Sequence, residues 1–164
     1  LYRCFSSCHG GKIKNMSDAF SLYETASRIA AVADTPEELQ TAAGLMKQSA
    51  ELGYSQAMNA YGTMLMAGEG VASDPSEAYR HWSMAALDYG ESECAFKLGL
   101  ACRDGLHHGS DRAGALAWFM LARDLGLDLA ALDVDDVAFE MTDSERVDAF
   151  ARYDRLRENC VLLR

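Results

Sequence analysis

The amino-acid sequence repeats itself at an interval of 37 residues, and no other feature restricts its possible folds so strongly. Gly53, Gly62 and Gly68 return as Gly90, Gly99 and Gly105, and Asp74 returns as Asp111. Trp82 and Ala86 are answered by Trp118 and Ala122 at an interval of 36, which reads as a loop one residue shorter in the second unit. A half-unit, Ala42, Leu45, Ala50 and Gly53, runs ahead of them in step. A fixed period between about 20 and 50 residues marks stacked supersecondary units, none of which buries its apolar face alone. The chain therefore reads as a short solenoid, an architecture that mostly binds rather than catalyses.

The units are helical. Two prolines in 164 residues, plentiful Ala, Leu, Met and Glu, and no sustained strand-type alternation all favour helix. Thr35-Pro36-Glu37-Glu38 and Asp74-Pro75-Ser76-Glu77 each combine a capping oxygen, a proline at the first helical position and a glutamate three residues past the cap. Gly53, Gly90 and Gly126 supply the matching stops. The pattern predicts helices over 18–33, 36–52, 55–67, 75–89, 91–103 and 112–125. Gly62 and Gly99 fall inside helices, where glycine costs up to about 1 kcal/mol against alanine, so close helix packing must explain them. Beyond Gly126, Asp128, Asp133, Asp135 and Asp136 read as a polar transition. Thr142-Asp-Ser-Glu145 then opens a capping helix over 143–159, with Val147, Phe150, Ala151, Tyr153 and Leu156 near one face.

Charge and length limit the partners. A net charge of −10 repels nucleic-acid backbones and anionic membranes alike. The longest apolar run, Ala115 to Ala122, falls well short of the roughly 20 residues that cross a bilayer. Residues 1–15 differ in composition, carrying Arg3, Lys12 and Lys14 as their only charges, and read as an unstructured or added extension before Met16. The domain proper is then 16–164. Five scattered cysteines make a disulfide framework improbable, so a reducing cytoplasmic compartment is expected, with a periplasmic or secreted location as the alternative if a signal peptide has been removed.

Candidate chemistry is sparse. Cys4-Phe-Ser-Ser-Cys8-His9 is one residue wider than the haem-attachment spacing and has no second ligand pair. His107 and His108 sit beside Cys102, Asp104 and Asp111, but adjacent histidines in a glycine-rich loop point different ways. Asp133, Asp135 and Asp136 lack the glycine and closing glutamate of a calcium loop. No phosphate loop, nucleophile elbow or zincin motif is present, so neither catalytic residues nor a metal or cofactor are expected, and the chain is read as a non-enzyme.

Ala57, Tyr61-Gly62, Gly68-x-Gly70-Val71, Asp74, Trp82 and Ala86 to Gly90 resemble the Sel-one-like repeat (SLR), a subclass of tetratricopeptide-like α-hairpins. The resemblance covers about 42–126, with repeats near 54–89 and 91–126, and the segment from Met141 to Arg146 is similar to the ends of bacterial members. Leu106-His107-His108 departs from the Gly-Val loop, and Cys94 from the usual alanine. The resemblance implies an all-α, right-handed α/α superhelical solenoid of two repeats, a leading half-repeat and a C-terminal capping helix. It also implies an adaptor whose first helices bind a protein or peptide on the concave face, in signalling, secretion or host interaction; toxin neutralisation is a further setting to consider.

Positions off the packing stripe of the first helices name that face. They are Gln56, Asn59, Ala60 and Thr63 in one unit and Glu93, Phe96, Lys97, Leu100 and Arg103 in the next. Mixed polar and apolar character there suits peptide capture. The alternative is an architectural subunit of a homo-oligomer or larger complex; the sequence leaves the oligomeric state open.

Overall fold

A helix that buries one stripe can stack with its neighbour, and the described residues form eight helices. The computed structural model describes residues 12–106 and 109–163, with side chains from residue 16 onward. The helices are α1 (Lys12–Val32), α2 (Pro36–Glu51), α3 (Ser55–Ala67), α4 (Pro75–Tyr89), α5 (Ser92–Asp104), α6 (Arg112–Asp124), α7 (Ala130–Phe139) and α8 (Asp143–Asn159). No strand occurs among the described residues. From α1 to α6 each helix packs on the next in sequence, giving three consecutive hairpins, and α7 and α8 both pack on α6.

Local signals place most boundaries. Thr35 and Thr142 form reciprocal capping boxes with Glu38 and Glu145, so α2 and α8 begin where expected. Asp74 and Asp111 cap α4 and α6 by accepting from the amides of Glu77 and Gly114. The box expected at Asp74 does not close, because the Glu77 side chain turns instead to Arg80, at 2.8 and 2.5 Å. Helix α1 starts at Lys12, four residues before Met16. Residues 1–11, with Cys4, Cys8 and His9, lie outside the described residues, as do His107 and His108.

Rings seated on glycines hold the two central hairpins together. A Cβ on Gly62 would lie 2.6 Å from Trp82 Nε1, and one on Gly99 would lie 2.5 Å from the Phe119 ring. Only a residue without a side chain lets α4 and α6 come this close to α3 and α5. Both pairs keep the 37-residue interval, as do Gly68 and Gly105, the left-handed C-caps of α3 and α5, and the N-caps Asp74 and Asp111. The second loop is therefore not shortened. Phe119, not Trp118, occupies the place of Trp82, and the lost residue falls near the C-terminus of α6, which spans 13 residues against 15 in α4. Trp118 instead donates its indole N–H to Tyr79 of α4 at 2.8 Å, tying one hairpin to the next. In the first loop Gly70, at φ 66, lies against the Leu39 carbonyl of α2, so a side chain there would collide with backbone.

The main core runs through Ala57, Met58, Tyr61 and Leu65, then Ala78, Trp82 and Ala85, then Cys94, Ala95 and Leu98. A second core joins Leu116, Phe119 and Met120 to Val137, Met141 and Ala149. Helix α6 is consequently buried over every residue from Ala113 to Ala122, the expected state of a helix apolar on all sides. The acidic stretch read as a polar transition is helix α7. Its apolar residues recur at Ala130, Val134 and Val137, and Asp135 and Asp136 face solvent.

Helix α8 caps the stack with a different roll from the expected one. Val147 is 71% exposed and Phe150 50%, whereas Ala149 is buried and Tyr153 and Leu156 are half-buried. Polar anchors choose this roll. Arg152 pairs with Asp111 at 2.6 Å, the Tyr153 hydroxyl bonds Asp124, and Arg146 donates to the Ala138 carbonyl at 3.2 Å. The chain then hooks back onto α4, where the Val161 amide donates to the Leu87 carbonyl at 2.8 Å and the Cys160 thiol is fully buried. Cys94, Cys102 and Cys160 are free thiols; burial pushes Cys94 up to about 12, so it stays a neutral, structural side chain.

One polar group stands out in the core. His81 is 4% exposed, meets Tyr61 edge-on at 5.1 Å, and has Glu77 Oε1 3.3 Å and Arg80 Nη2 3.2 Å from its Nε2, while its Nδ1 is buried without a partner. Burial first, then the Arg80 charge, lowers its pKa below the ordinary 6.5; Glu77 and Glu51 oppose this more weakly. The folded state therefore binds fewer protons than the unfolded one, and the associated stability is present above about pH 6.5 and lost as pH falls through the folded value. We expect urea-unfolding free energy to fall between about pH 7 and pH 5, and His81→Leu to flatten that slope. An unchanged slope in the variant would contradict the assignment.

Candidate concave binding surface

Residues of α1 and α3 and of the start of α5 border an open concavity of about 440 Å³. It is lined by Tyr23, by Gln56, Asn59 and Ala60, and by Glu91, Glu93 and Lys97. Ala60 is the smallest of these side chains.

A hydrogen-bonded relay crosses from α3 to α5. Lys97 Nζ donates to Asn59 Oδ1 at 2.6 Å and to Thr63 Oγ1 at 2.9 Å, and lies 5.7 Å from the centroid of the Trp82 ring. Asn59 Nδ2 in turn donates to Glu93 Oε2 at 3.2 Å, and its backbone carbonyl accepts from Trp82 Nε1 at 3.1 Å. Ser55 donates to Glu91 Oε1 at 2.5 Å. At the α1 end Tyr23 and Phe20 pack around Tyr54, with centroids 5.1 and 6.0 Å away, and the Tyr54 hydroxyl donates to Gln56 Oε1 at 2.9 Å. Burial, followed by the charges of Tyr23, Glu24 and Glu91, raises the Tyr54 pKa, so the ring remains neutral.

The structure divides the residues nominated from the sequence. It brings together Gln56, Asn59, Ala60, Glu93 and Lys97, with Thr63 attached through Lys97. It turns Phe96, Leu100 and Arg103 toward the next layer. Phe96 is half-buried, 5.3 Å from Phe119, and Leu100 packs on the second core. Arg103 bonds Asp104 at 2.9 Å and Asp133 of α7 at 3.2 Å. On α5, Phe96 and Leu100 are drawn away by packing on α6 and the second core, and Arg103 by its pairing with Asp133 of α7, a helix absent from the sequence reading. Tyr23 and Glu91 were missed: the first sits on a helix outside the repeat pattern, and the second is the residue just before α5.

Among the described residues, no group of three or more His, Cys, Asp and Glu side chains is arranged to hold a metal ion, and no helix is long and apolar enough to cross a membrane.

The Sel1 repeat model matches residues 55–88 and 92–127, which are helices α3–α4 and α5–α6 with their loops. The two central hairpins each match the Sel1 repeat. No curated protein matches the chain in sequence. Among solved structures, a protective antigen of uropathogenic Escherichia coli strains with an SLR fold superposes with a TM-score of 0.77 at 23% identity, over 89% of this chain and 31% of that one. A Sel1 repeat protein from Oxalobacter formigenes superposes with a TM-score of 0.62 at 24% identity, over 76% of this chain and 95% of that one. The chain thus spans about a third of the length of the Escherichia coli antigen, and both likenesses establish the SLR solenoid fold. Sel1 repeats serve in general as protein-interaction scaffolds.

The relay between the two Sel1 repeats has a measurable signature. Asn59→Ala and Lys97→Ala should each destabilise, with a coupling between them of about 0.5–1 kcal/mol in a urea double-mutant cycle. Strict additivity would show that the two side chains do not act together.

Proposed function

We propose that this protein is a non-catalytic interaction module that captures a peptide or protein segment in the concavity formed by α1, α3 and α5. The observation that carries this reading is the convergence of three first helices on one open concavity, lined by a mixture of tyrosine, amide, carboxylate and ammonium groups. In a hairpin stack the other faces are used for packing, so the inner surface is what a partner meets. The relay through Asn59 and Lys97 holds the lining side chains before a partner arrives, which reduces the ordering that binding must impose.

An architectural role is the second reading, and it rests on a different surface. Phe139 is 87% exposed, Leu132 72% and Val147 71%, all on the two terminal helices. Large apolar side chains left outside in this way suit burial against another subunit.

Selection of a displayed random-peptide library against the protein tests the first reading. Peptides so obtained should bind with affinity reduced about tenfold or more by Ala60→Arg, which adds a long side chain at a half-buried position lining the concavity, while circular dichroism and the urea midpoint confirm that the variant stays folded. Peptides that bind wild type and variant equally would move the function away from this face, and concentration-dependent self-association in sedimentation would then favour the architectural reading.

A further inference from the structure

The outward face of α7 carries large apolar side chains that nothing in the fold uses. Leu132 and Phe139 stand seven residues apart, two helical turns or roughly 10 Å along the axis, and so form one stripe. Phe139 is the most exposed large apolar side chain among the described residues, and Leu129, just before the helix, is exposed as well. The opposite face of α7 is already satisfied. Ala130, Val134 and Val137 pack into the stack, so the helix gains nothing for its own stability from leucine and phenylalanine outside. An apolar stripe of this kind with a polar border is the usual mark of a docking surface.

Charge decides what can lie on it. Between Leu125 and Glu145 stand seven of the 25 acidic residues of the chain and none of its 15 lysines and arginines, so this short segment holds most of the net charge of −10. At about 100° per residue, Asp136 and Glu140 fall on one side of the stripe and Asp135 on the other, and all three are exposed. The arginines that reach α7 do so away from the stripe: Arg103 pairs with Asp133, Arg146 donates to the Ala138 carbonyl and Arg112 to the Glu140 carbonyl. A second copy laid face to face would set like charges against each other, and a membrane of anionic lipid would be repelled. A helix with an apolar stripe of its own and cations beside it meets both features at once.

We propose that the outward face of α7 docks a basic amphipathic helix of another protein, whose apolar stripe covers Leu132 and Phe139 and whose lysines or arginines lie beside Asp135, Asp136 and Glu140. Apolar seam and flanking charges divide the work as they do between paired helices of a coiled coil, the seam supplying affinity and the flanks the choice of partner. The surface stands apart from the concavity. Within the architectural reading, it replaces an unspecified subunit by a partner of defined chemistry.

The test separates stripe, flank and overall field. A fluorescein-labelled helix of about 18 residues, built from Leu, Lys and Ala with leucines at i, i+3, i+4 and i+7, is titrated by anisotropy at about 150 mM salt. Beside it run a peptide of the same composition with the leucines scattered around the helix, and one with the same stripe but glutamine for lysine. Four variants are compared: Leu132→Gln with Phe139→Gln, Asp135→Asn with Asp136→Asn, the charge-matched Asp18→Asn with Glu69→Gln at exposed positions of α1 and the α3–α4 loop, and Ala60→Arg. The striped lysine peptide should bind saturably and about tenfold or more tighter than either relative. It should lose about tenfold on the Leu132/Phe139 variant and about fivefold on the Asp135/Asp136 variant, and change by less than about twofold on the other two, with the helical dichroism of all four intact. If the Leu132/Phe139 variant loses its helical signal, the comparison of the two charge-matched variants decides. Absence of saturable binding, equal binding of the scattered peptide, or equal losses in the two charge-matched variants would overturn the proposal. Equal binding of the glutamine peptide would show an apolar partner without charge preference and refute the basic one. Self-association in sedimentation that the Leu132/Phe139 variant abolishes would make a second copy the occupant and refute it too. Loss on Ala60→Arg alone would place the peptide in the concavity, overturning this surface while leaving the concave site standing.

Discussion

A ring seated on a glycine is the contact from which the rest of this molecule follows. Trp82 lies over Gly62 and Phe119 over Gly99, each joining the two helices of one repeat at a separation that any side chain on the glycine would prevent. Close approach is worth more here than helix propensity. The glycines weaken α3 and α5 by up to about 1 kcal/mol each, and the burial of a large ring in return contributes roughly 1.5–3 kcal/mol. Interdigitation also fixes the height of one helix relative to its partner, which sliding apolar surfaces would not do.

The concavity is built on that contact. Trp82 is 4% exposed and belongs to the core, yet its indole N–H bonds the Asn59 carbonyl and its ring face lies under Lys97. Asn59 turns its side chain the other way, between Glu93 and Lys97. Packing inside the first repeat thus positions polar groups at its junction with the second. The junction is reinforced on the other side by Trp118 and Tyr79, whose hydroxyl is desolvated and held well above the usual phenol range. Hydrogen bonds thus tie the first repeat to the second at two places.

What the sequence disclosed, and what it concealed, follows the range of the forces involved. Caps are local, so Thr35 with Glu38 and Thr142 with Glu145 marked helix starts that the structure reproduces. The glycine interval marked the repeats. Residue identity misled where two aromatics stand side by side: matching tryptophan to tryptophan paired Trp82 with Trp118, whereas packing pairs it with Phe119. Helix α7 was hidden because its acidic outer face masks a short apolar stripe of Ala130, Val134 and Val137. The roll of α8 depends on Arg152 finding Asp111 and Tyr153 finding Asp124, partners 41 and 29 residues away that no local pattern announces. For the same reason the nominated face of α5 included Phe96 and Leu100, which face α6 and the second core, and omitted Tyr23, which only the stacking of α1 brings to the concavity.

Alanine at Gly62, measured with and without the ring that sits on it, tests the account most directly. In an unhindered helix interior Gly→Ala stabilises by up to about 1 kcal/mol. Here the unfolding free energy of Gly62→Ala should instead fall by on the order of 1–3 kcal/mol in the wild-type background, and recover its ordinary stabilising sign when Trp82→Leu removes the ring. A Gly62→Ala protein as stable as wild type or more so, with Trp82 in place, would contradict the claim that this contact sets the geometry of the repeat.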